Sequence, residues 1–206
     1  MNKQMIYGAA IVAGMMAMGT TSASAAEGDW LFRVGAHQVD PKSNNHPAVS
    51  VDSGTSLTLS GTYFYTDNFA VEVLGAAPFN HDIRLVDGGA RVAKTRHLPP
   101  TISAQWHFAP DAKSFRPYVG AGLNYTLFFD EKTSGALAGT KLELDPSFGL
   151  SAEVGMDIAL TEDWAINLNV RWFDIDSDAE LDGADLGTVE IDPYAYGLMF
   201  TRKLRF

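Results

Sequence analysis

Apolar and polar residues alternate along most of the chain with the period of a β-strand. From Trp164 to Trp172 every second residue is apolar and those between are mostly polar, and the same split runs through residues 147–160 and 194–206. Weaker alternation covers five further segments, at residues 30–39, 57–65, 69–79, 101–108 and 118–129. Because successive side chains of a strand point to opposite faces, this pattern predicts about eight strands, each with one apolar face.

The connections between these strands differ in length. Some are short turns, at residues 66–68, 109–114 and 161–163, and others are long and polar, at residues 40–54, 80–97, 130–145 and 174–190. Short turns at one end and long loops at the other are typical of outer-membrane barrels, although a soluble β-sandwich also alternates. Aromatic residues at both ends of the strands and a terminal Phe206 favour the membrane. Since hydrocarbon offers no partner for an open sheet edge, we predict an all-β fold, an eight-stranded antiparallel transmembrane β-barrel.

The N-terminus has the three parts of a secretory signal peptide. Lys3 supplies a positive charge, residues 5–18 are apolar, and a small-residue stretch contains the cleavage pattern Ala23-Ser24-Ala25. The apolar run is shorter than the ~20 residues that a spanning helix needs, so a membrane anchor is the weaker interpretation. We predict a signal peptide at residues 1–25, cleaved near Ala25 or Ala26, and a barrel domain at residues 26–206 in the outer membrane of a Gram-negative bacterium.

Composition and charge argue against several classes of function. The 206 residues carry a net charge of −10 and no cysteine, which argues against duplex nucleic-acid binding and excludes disulfides and thiolate metal sites. Residues 174–192 contain eight acidic residues and no Lys or Arg. The expected partners are outer-membrane lipid and lipopolysaccharide, the latter through divalent cations on this acidic loop, although plain solvation of the loop is the simpler interpretation. The oligomeric state is left open, with a monomer as the simplest case.

If the apolar residues of each strand face lipid, the residues that alternate with them line the interior of the barrel. In a barrel of eight strands this bore is only wide enough for side chains or one small ligand. Near the short turns this bore contains three cations and three carboxylates, which should pair because an unpaired buried charge is costly. These predicted plug residues are Arg33, Glu72, Glu153, Asp157, Lys203 and Arg205. Near the long loops the bore is less charged, and its apolar lining residues are Val39, Leu74, Phe128 and Phe173.

This gradient predicts a passage for small hydrophobic solutes. They would enter between the long loops, stop at the charged plug and leave sideways into the bilayer. A sideways exit needs interrupted strand pairing, and proline, which has no N–H for the ladder, marks positions where pairing is weak. Pro78, Pro99 and Pro100 are the predicted lateral opening.

Several segments resemble the OmpW family of outer-membrane proteins, and together they cover essentially the whole mature chain. The most specific are residues 115–125 (FRPYVGAGLNY) and residues 97–101 (HLPPT). The resemblance implies an eight-stranded barrel with a hydrophobic channel that releases small hydrophobic molecules laterally.

The resemblance also implies a constriction in the channel. Family members carry an aliphatic residue from the third strand and an aromatic one from the seventh, and Leu74 matches the first position. Arg171 stands at the second, where it would narrow and polarise the passage unless it pairs with a carboxylate such as Glu153. Phe173 or Phe128 would then supply the missing aromatic side chain.

Other motifs indicate no catalytic or metal chemistry. The five histidines lack zinc-ligand spacing, although His81 and His97 would meet across one long loop. Ser103, His107 and Glu72 show no catalytic signature. We therefore expect no metal, no cofactor and no enzyme activity. The alternative to a hydrophobic-solute channel is a structural or surface-interaction barrel, receptor-like or adhesin-like, with a plugged bore.

Overall fold

The computed structural model describes residues 25–42, 47–87 and 89–205. Except for Ala25, the predicted signal peptide lies outside these residues. The described parts contain a short 3-10 turn, Gly135–Leu137, and fourteen strands. The strands are β1 (Trp30–Asp40), β2 (Val49–Val51), β3 (Gly54–Phe64), β4 (Phe69–Ala76), β5 (Phe79–Leu85), β6 (Arg91–Leu98), β7 (Thr101–His107), β8 (Phe115–Thr133), β9 (Leu142–Leu144), β10 (Ser147–Ala159), β11 (Trp164–Phe173), β12 (Asp176–Leu181), β13 (Ala184–Glu190) and β14 (Tyr194–Leu204).

Eight of these strands close a barrel. They are hydrogen-bonded in the order β10, β11, β14, β1, β3, β4, β7 and β8, and the ring closes because β8 also pairs with β10. All neighbours are antiparallel, so each strand returns beside the one before it. The predicted eight-stranded antiparallel barrel is confirmed.

Burial is inverted relative to a soluble protein. Leu57 and Phe148 on the outer wall are 68% and 70% exposed, whereas Arg33 is 2% exposed and Thr62 is fully buried in the bore. This follows from the alternation, because the apolar parity of every barrel strand turns outward and the polar parity inward. No helix in the described part of the chain is long and apolar enough to cross a bilayer.

Two of the short turns are fixed by threonine side chains. The hydroxyl of Thr66 accepts hydrogen bonds from the backbone N–H groups of Asn68 and Phe69. Thr161 does the same for Asp163 and Trp164. Such turns hold neighbouring strands in one register, and they define what we call the lower end of the barrel, which faces the periplasm in this class of protein.

The long connections contain strands of their own at the upper, extracellular end, where the sequence predicted polar loops. The hairpin β5–β6 continues β4 and β7 upward, pairs with β8, and carries β2 on its free edge. A separate sheet in the order β13, β12, β9 joins two strands of the acidic segment to one strand of the preceding long connection. These connections form strands because they have an apolar face of their own: Ile83, Val92 and Ala93 turn inward and form a small core.

Candidate functional site

The lower and middle bore is filled by a network of buried charges, which we call the plug: Arg33, Glu72, Glu153, Asp157 and Arg171. Glu72 lies at its centre. Arg171 Nη2 approaches Glu72 Oε2 at 2.6 Å, and Arg33 Nη1 approaches Glu72 Oε1 at 3.3 Å. Ser60 donates a further hydrogen bond to Glu72 at 2.8 Å. Two arginines therefore share one buried carboxylate across the barrel.

Each arginine of the plug also has a second carboxylate. Arg33 Nη2 donates to Asp157 at 2.9 Å, and its Nη1 donates to the hydroxyl of Thr62 at 2.6 Å. Arg171 Nη2 lies 2.9 Å from Glu153 Oε2, an ion pair outside hydrogen-bond geometry, while Gln105 donates to Glu153 Oε1 at 3.0 Å. Opposite charges are thus joined into one connected set rather than into isolated pairs.

Two glycines make room for this packing. A Cβ on Gly120 would lie 2.6 Å from Glu153 Oε1, and one on Gly155 would lie 2.3 Å from the Tyr118 ring. Both glycines lie on barrel strands, so the small residue accommodates a large side chain crossing from a neighbouring strand. The bore is therefore closed at this level by close packing as well as by charge.

The remaining predicted plug residues lie lower in the barrel. Lys203 is buried, near the end of β14. Arg205 does not lie in the bore: its side chain is 67% exposed and pairs with Asp29 at 3.0 Å, because it follows the last strand. Sequence analysis missed Arg116, which is buried, donates to the backbone oxygens of Ala25 and Asp67, and lies 4.7 Å from the Phe64 ring.

Above the plug, a cavity of about 260 Å³ opens between the extracellular strands. Its walls are mostly aliphatic and come from β1, β2, β5, β6, β8 and the sheet of β9, β12 and β13. Representative lining residues are Val39, Ile83, Val92, Phe128, Ile175 and Ala179. The volume is close to the lower end of the ~300–1,000 Å³ usual for small-molecule pockets, so the cavity suits one small apolar molecule.

A cluster of buried apolar side chains separates this cavity from the plug. We call it the floor; it consists of Val39, Phe79, Phe173, Ile175 and Ala195, with Phe128 packed against it. Phe173 lies two residues beyond Arg171 on β11, which is ~7 Å along a strand. A solute in the cavity is thus shielded from the charges by one layer of apolar side chains.

The predicted channel residues therefore separate into different layers. Val39 and Phe128 line the cavity, and Phe173 belongs to the floor. Arg171 lies in the plug, and Leu74 is buried in the bore without lining the cavity. Phe79 was missed as a floor residue because the inward positions shift at Pro78: even-numbered residues turn inward in β4, whereas odd-numbered residues do so in β5.

Two histidines that the sequence placed in one long loop meet in the cavity wall. The rings of His81 and His97 stack at 4.9 Å, and Phe79 stacks on His97 at 5.2 Å. His81 Nδ1 donates to the backbone oxygen of Asp52 at 2.6 Å. Burial, together with the nearby His81, lowers the pKa of His97 from 6.5 to about 3, so His97 is neutral at physiological pH.

The predicted lateral opening falls at two seams of different construction. Pro99 and Pro100 join β6 to β7, and Asn124 of β8 donates to both of their backbone oxygens at 3.2 and 3.3 Å. Tyr125 N–H also donates to Pro100 at 3.0 Å, so this seam is closed by hydrogen bonds.

Pro78 joins β4 to β5, beside the upper end of β3. The ladder of β3 and β4 ends where Ala77 N–H donates to Leu57 at 2.8 Å, and the next backbone bond on this side joins Asp52 to Asp82 at 2.9 Å. Between them the described residues form no backbone ladder, and Ser56 bridges the strands through its hydroxyl, which donates to Ala77 at 2.9 Å. The backbone ladder of the wall is therefore interrupted at this seam.

Comparisons with known proteins agree with this architecture. A family model described as "OmpW family" matches residues 26–204. Outer membrane protein W of Vibrio cholerae is 39% identical over 212 residues, covering 94% of this chain and 96% of the relative. The crystal structure of OprG from Pseudomonas aeruginosa superposes with a TM-score of 0.78 at 32% identity, covering 90% of this chain and all of that one. The outer membrane protein AlkL, solved in lipid bilayers, superposes with a TM-score of 0.66 at 25% identity over 92% of this chain and 96% of that one.

Proposed function

Because this chain belongs to the OmpW family of outer-membrane proteins, we propose that it is a channel for the passive uptake of small hydrophobic molecules. The solute enters from outside the cell into the cavity between the extracellular strands. It leaves sideways into the bilayer through the seam beside Pro78. The observation that carries this proposal is the apolar cavity, which ends on an apolar floor above a charged plug.

The plug favours a sideways exit over a straight one. A hydrophobic solute that moved down the bore would have to separate ion pairs whose side chains are at most 7% exposed. Leaving a buried charge unpaired costs several kcal/mol, roughly 3–5 in measured cases, and an apolar solute offers nothing to compensate for it. The way through the wall breaks no ion pair.

The seam at Pro78 borders the cavity and the lipid at the same height. His81, three residues beyond Pro78, lines the cavity, and Leu57 beside the seam is exposed on the outer wall. Among the described residues, the Ser56 hydroxyl bridges the two strands there, where the backbone ladder is interrupted. The seam at Pro99 and Pro100 lacks this property because Asn124 ties it to β8.

A reversible crosslink across the seam tests the proposal. Continuing the register of Thr58 and Ala76 places Ser56 opposite Pro78, and the chain has no native cysteine. We expect oxidised Ser56→Cys/Pro78→Cys to slow naphthalene uptake by cells to the rate of cells that lack the protein, and reduction to restore it. The matched control is Thr58→Cys/Ala76→Cys, where the strands are already paired and a disulfide should change nothing.

Two results would contradict the proposal in different ways. If the oxidised seam variant takes up naphthalene as fast as its reduced form, the sideways exit is wrong. If deleting the protein leaves naphthalene uptake unchanged, transport itself is wrong, and the barrel is better explained as a structural or surface-interaction protein whose bore is plugged.

A further inference from the structure

The outward face of the sheet formed by β5, β6 and the upper part of β8 is basic. We call this surface the basic face; its cations are Arg84, Arg91, Lys94, Arg96 and Lys132. We propose that the basic face binds the phosphorylated sugar headgroup of lipopolysaccharide in the outer leaflet. This inference concerns the outside of the wall and holds whether or not the cavity conducts solutes.

Like charges face each other directly across this sheet. Lys94 of β6 lies in register between Lys132 of β8 and Asp82 of β5, and Arg84 of β5 is the partner of Arg91 of β6. Directly opposed side chains in an antiparallel pair lie about 5 Å apart at Cβ, and like charges there are destabilising. Two such pairs side by side indicate a surface that is completed by an anion.

The carboxylates on this face do not neutralise it. Asp82 lies 3.4 Å from Arg91 and 3.7 Å from Arg84, and Asp52 lies 2.6 Å from Arg84. Asp130 lies 2.9 Å from Lys132 and 3.7 Å from Arg96. Five cations therefore meet three carboxylates, and among the described residues Lys94 has no carboxylate within ion-pair distance.

A cleft of about 370 Å³ lies beside Lys94 and Arg91. It is lined by polar groups: Asp52, Ser53, Asn80, His81, Asp82, Arg91 and Lys94. Cations bind phosphate, whereas carboxylate, amide and hydroxyl oxygens accept hydrogen bonds from sugar hydroxyls and amides. The combination offers partners to both parts of a phosphorylated sugar, whereas an inorganic anion would use only the cations.

The height of the basic face on the barrel matches a lipid headgroup. Leu127 on β8 is exposed to lipid, and two residues higher the Arg96 guanidinium lies over the Phe129 ring at 5.7 Å. Lys132 follows three residues later, ~10 Å along the strand. Because barrel strands tilt by about 35–45°, this distance is roughly 7–8 Å along the membrane normal. The polar layer on each side of the hydrocarbon is about 5–8 Å thick, so Arg96 marks its inner edge and the lysine pair reaches its outer part.

The test measures lipid A binding to the full barrel in phosphatidylcholine nanodiscs. Lipid A carries phosphates on an amino-sugar headgroup, and its dephosphorylated form is the control lipid. Backbone amide shifts at Lys94 and Lys132 locate the site, and their titration gives the affinity. We expect Lys94→Gln/Lys132→Gln to weaken binding about thirty-fold, since each lysine at an anionic lipid surface contributes roughly fivefold.

A matched variant controls for net charge. Lys42→Gln/Lys113→Gln removes two lysines that lie outside β5, β6 and β8 and should bind lipid A as the wild type does. The proposal is overturned if wild-type protein binds lipid A and its dephosphorylated form equally, or if the two double variants lose the same affinity. It is also overturned if inorganic phosphate displaces lipid A completely, because the site would then recognise a free anion.

Discussion

Replacing Arg171 by methionine removes the cation that Glu72 and Glu153 share. Arg171 Nη2 lies 2.6 Å from Glu72 and 2.9 Å from Glu153, and all three side chains are at most 2% exposed. Methionine keeps most of the apolar volume, so the substitution acts on charge rather than on packing. After it, Glu72 retains Arg33 and Ser60, but Glu153 retains only Gln105.

The destabilisation expected for Arg171→Met follows from the loss of the cation beside Glu153. Removing one partner of a buried ion pair leaves an uncompensated charge and typically costs about 3–5 kcal/mol, and we expect Arg171→Met to lie in this range. Adding Glu153→Gln removes the stranded carboxylate. The double variant should therefore be destabilised less than the sum of the two single variants, by a coupling energy of about 0.5–3 kcal/mol.

Urea unfolding of the barrel in phospholipid vesicles measures this energy, with the emission of the four tryptophans as the signal. Lys141→Met removes an exposed lysine that pairs with Glu143 at 2.6 Å and should leave the unfolding midpoint unchanged. The reasoning is refuted if Arg171→Met is as stable as the wild type. It is equally refuted if the effects of Arg171→Met and Glu153→Gln simply add.

Two further predictions concern other layers of the bore. Gly155→Ala should destabilise the barrel by about 1–3 kcal/mol, since the new Cβ would meet the Tyr118 ring at 2.3 Å, whereas Gly75→Ala, which meets nothing within 4 Å, should not; urea unfolding compares them. His97 should titrate by NMR far below 6.5, because burial lowers its pKa to about 3. Its contribution to stability is then complete above pH 6.5 and is lost as the pH falls toward 3, and a titration near 6.5 would show that the ring is solvated.

The sequence predicted which side chains face lipid and named Glu153 as a partner for Arg171, which the structure places 2.9 Å away, but it did not predict that Glu72 joins them. Alternation assigns Arg171 and Glu72 to the interior, since a strand has only two faces. Their contact joins positions 99 residues apart and depends on how far the strands are staggered when the barrel closes. Stagger is a property of the closed ring, so the pattern of any single strand does not contain it.

The extracellular strands were missed for a different reason. In β5 and β6, Asp82, Lys94 and Arg96 alternate with inward apolar residues such as Ile83 and Ala93. Above the membrane the outer face meets water, so the outward positions become charged and the segment takes on the composition of a loop. The alternation of a strand was present in β5 and β6, but their outward residues were charged rather than apolar, as lipid-facing residues would be.

Proline position likewise identified both seams without distinguishing them. Each proline removes an N–H from the ladder, so Pro78, Pro99 and Pro100 are equivalent in sequence. The difference arises from β8, where Asn124 donates to Pro99 and Pro100 across the wall. The backbone oxygen of Pro78 accepts only long hydrogen bonds among the described residues, from Ser56 at 3.4 Å and from Asn80 of β5 at 3.5 Å. Whether a seam is closed therefore depends on its neighbour across the wall.

Closing a barrel of only eight strands links the plug, the cavity and the seam at Pro78. A bore this narrow is filled by side chains, and those side chains are polar because the apolar parity faces lipid, so they must pair with each other. An apolar cavity is then possible only above the pairs, where the strands leave the membrane and the inward parity becomes apolar. On the proposed route, a solute held there on Phe79 and Phe173 avoids the ion pairs by crossing the wall above Arg171. The interrupted ladder beside Pro78 lies on that route, whereas a break lower in the wall would open onto charge.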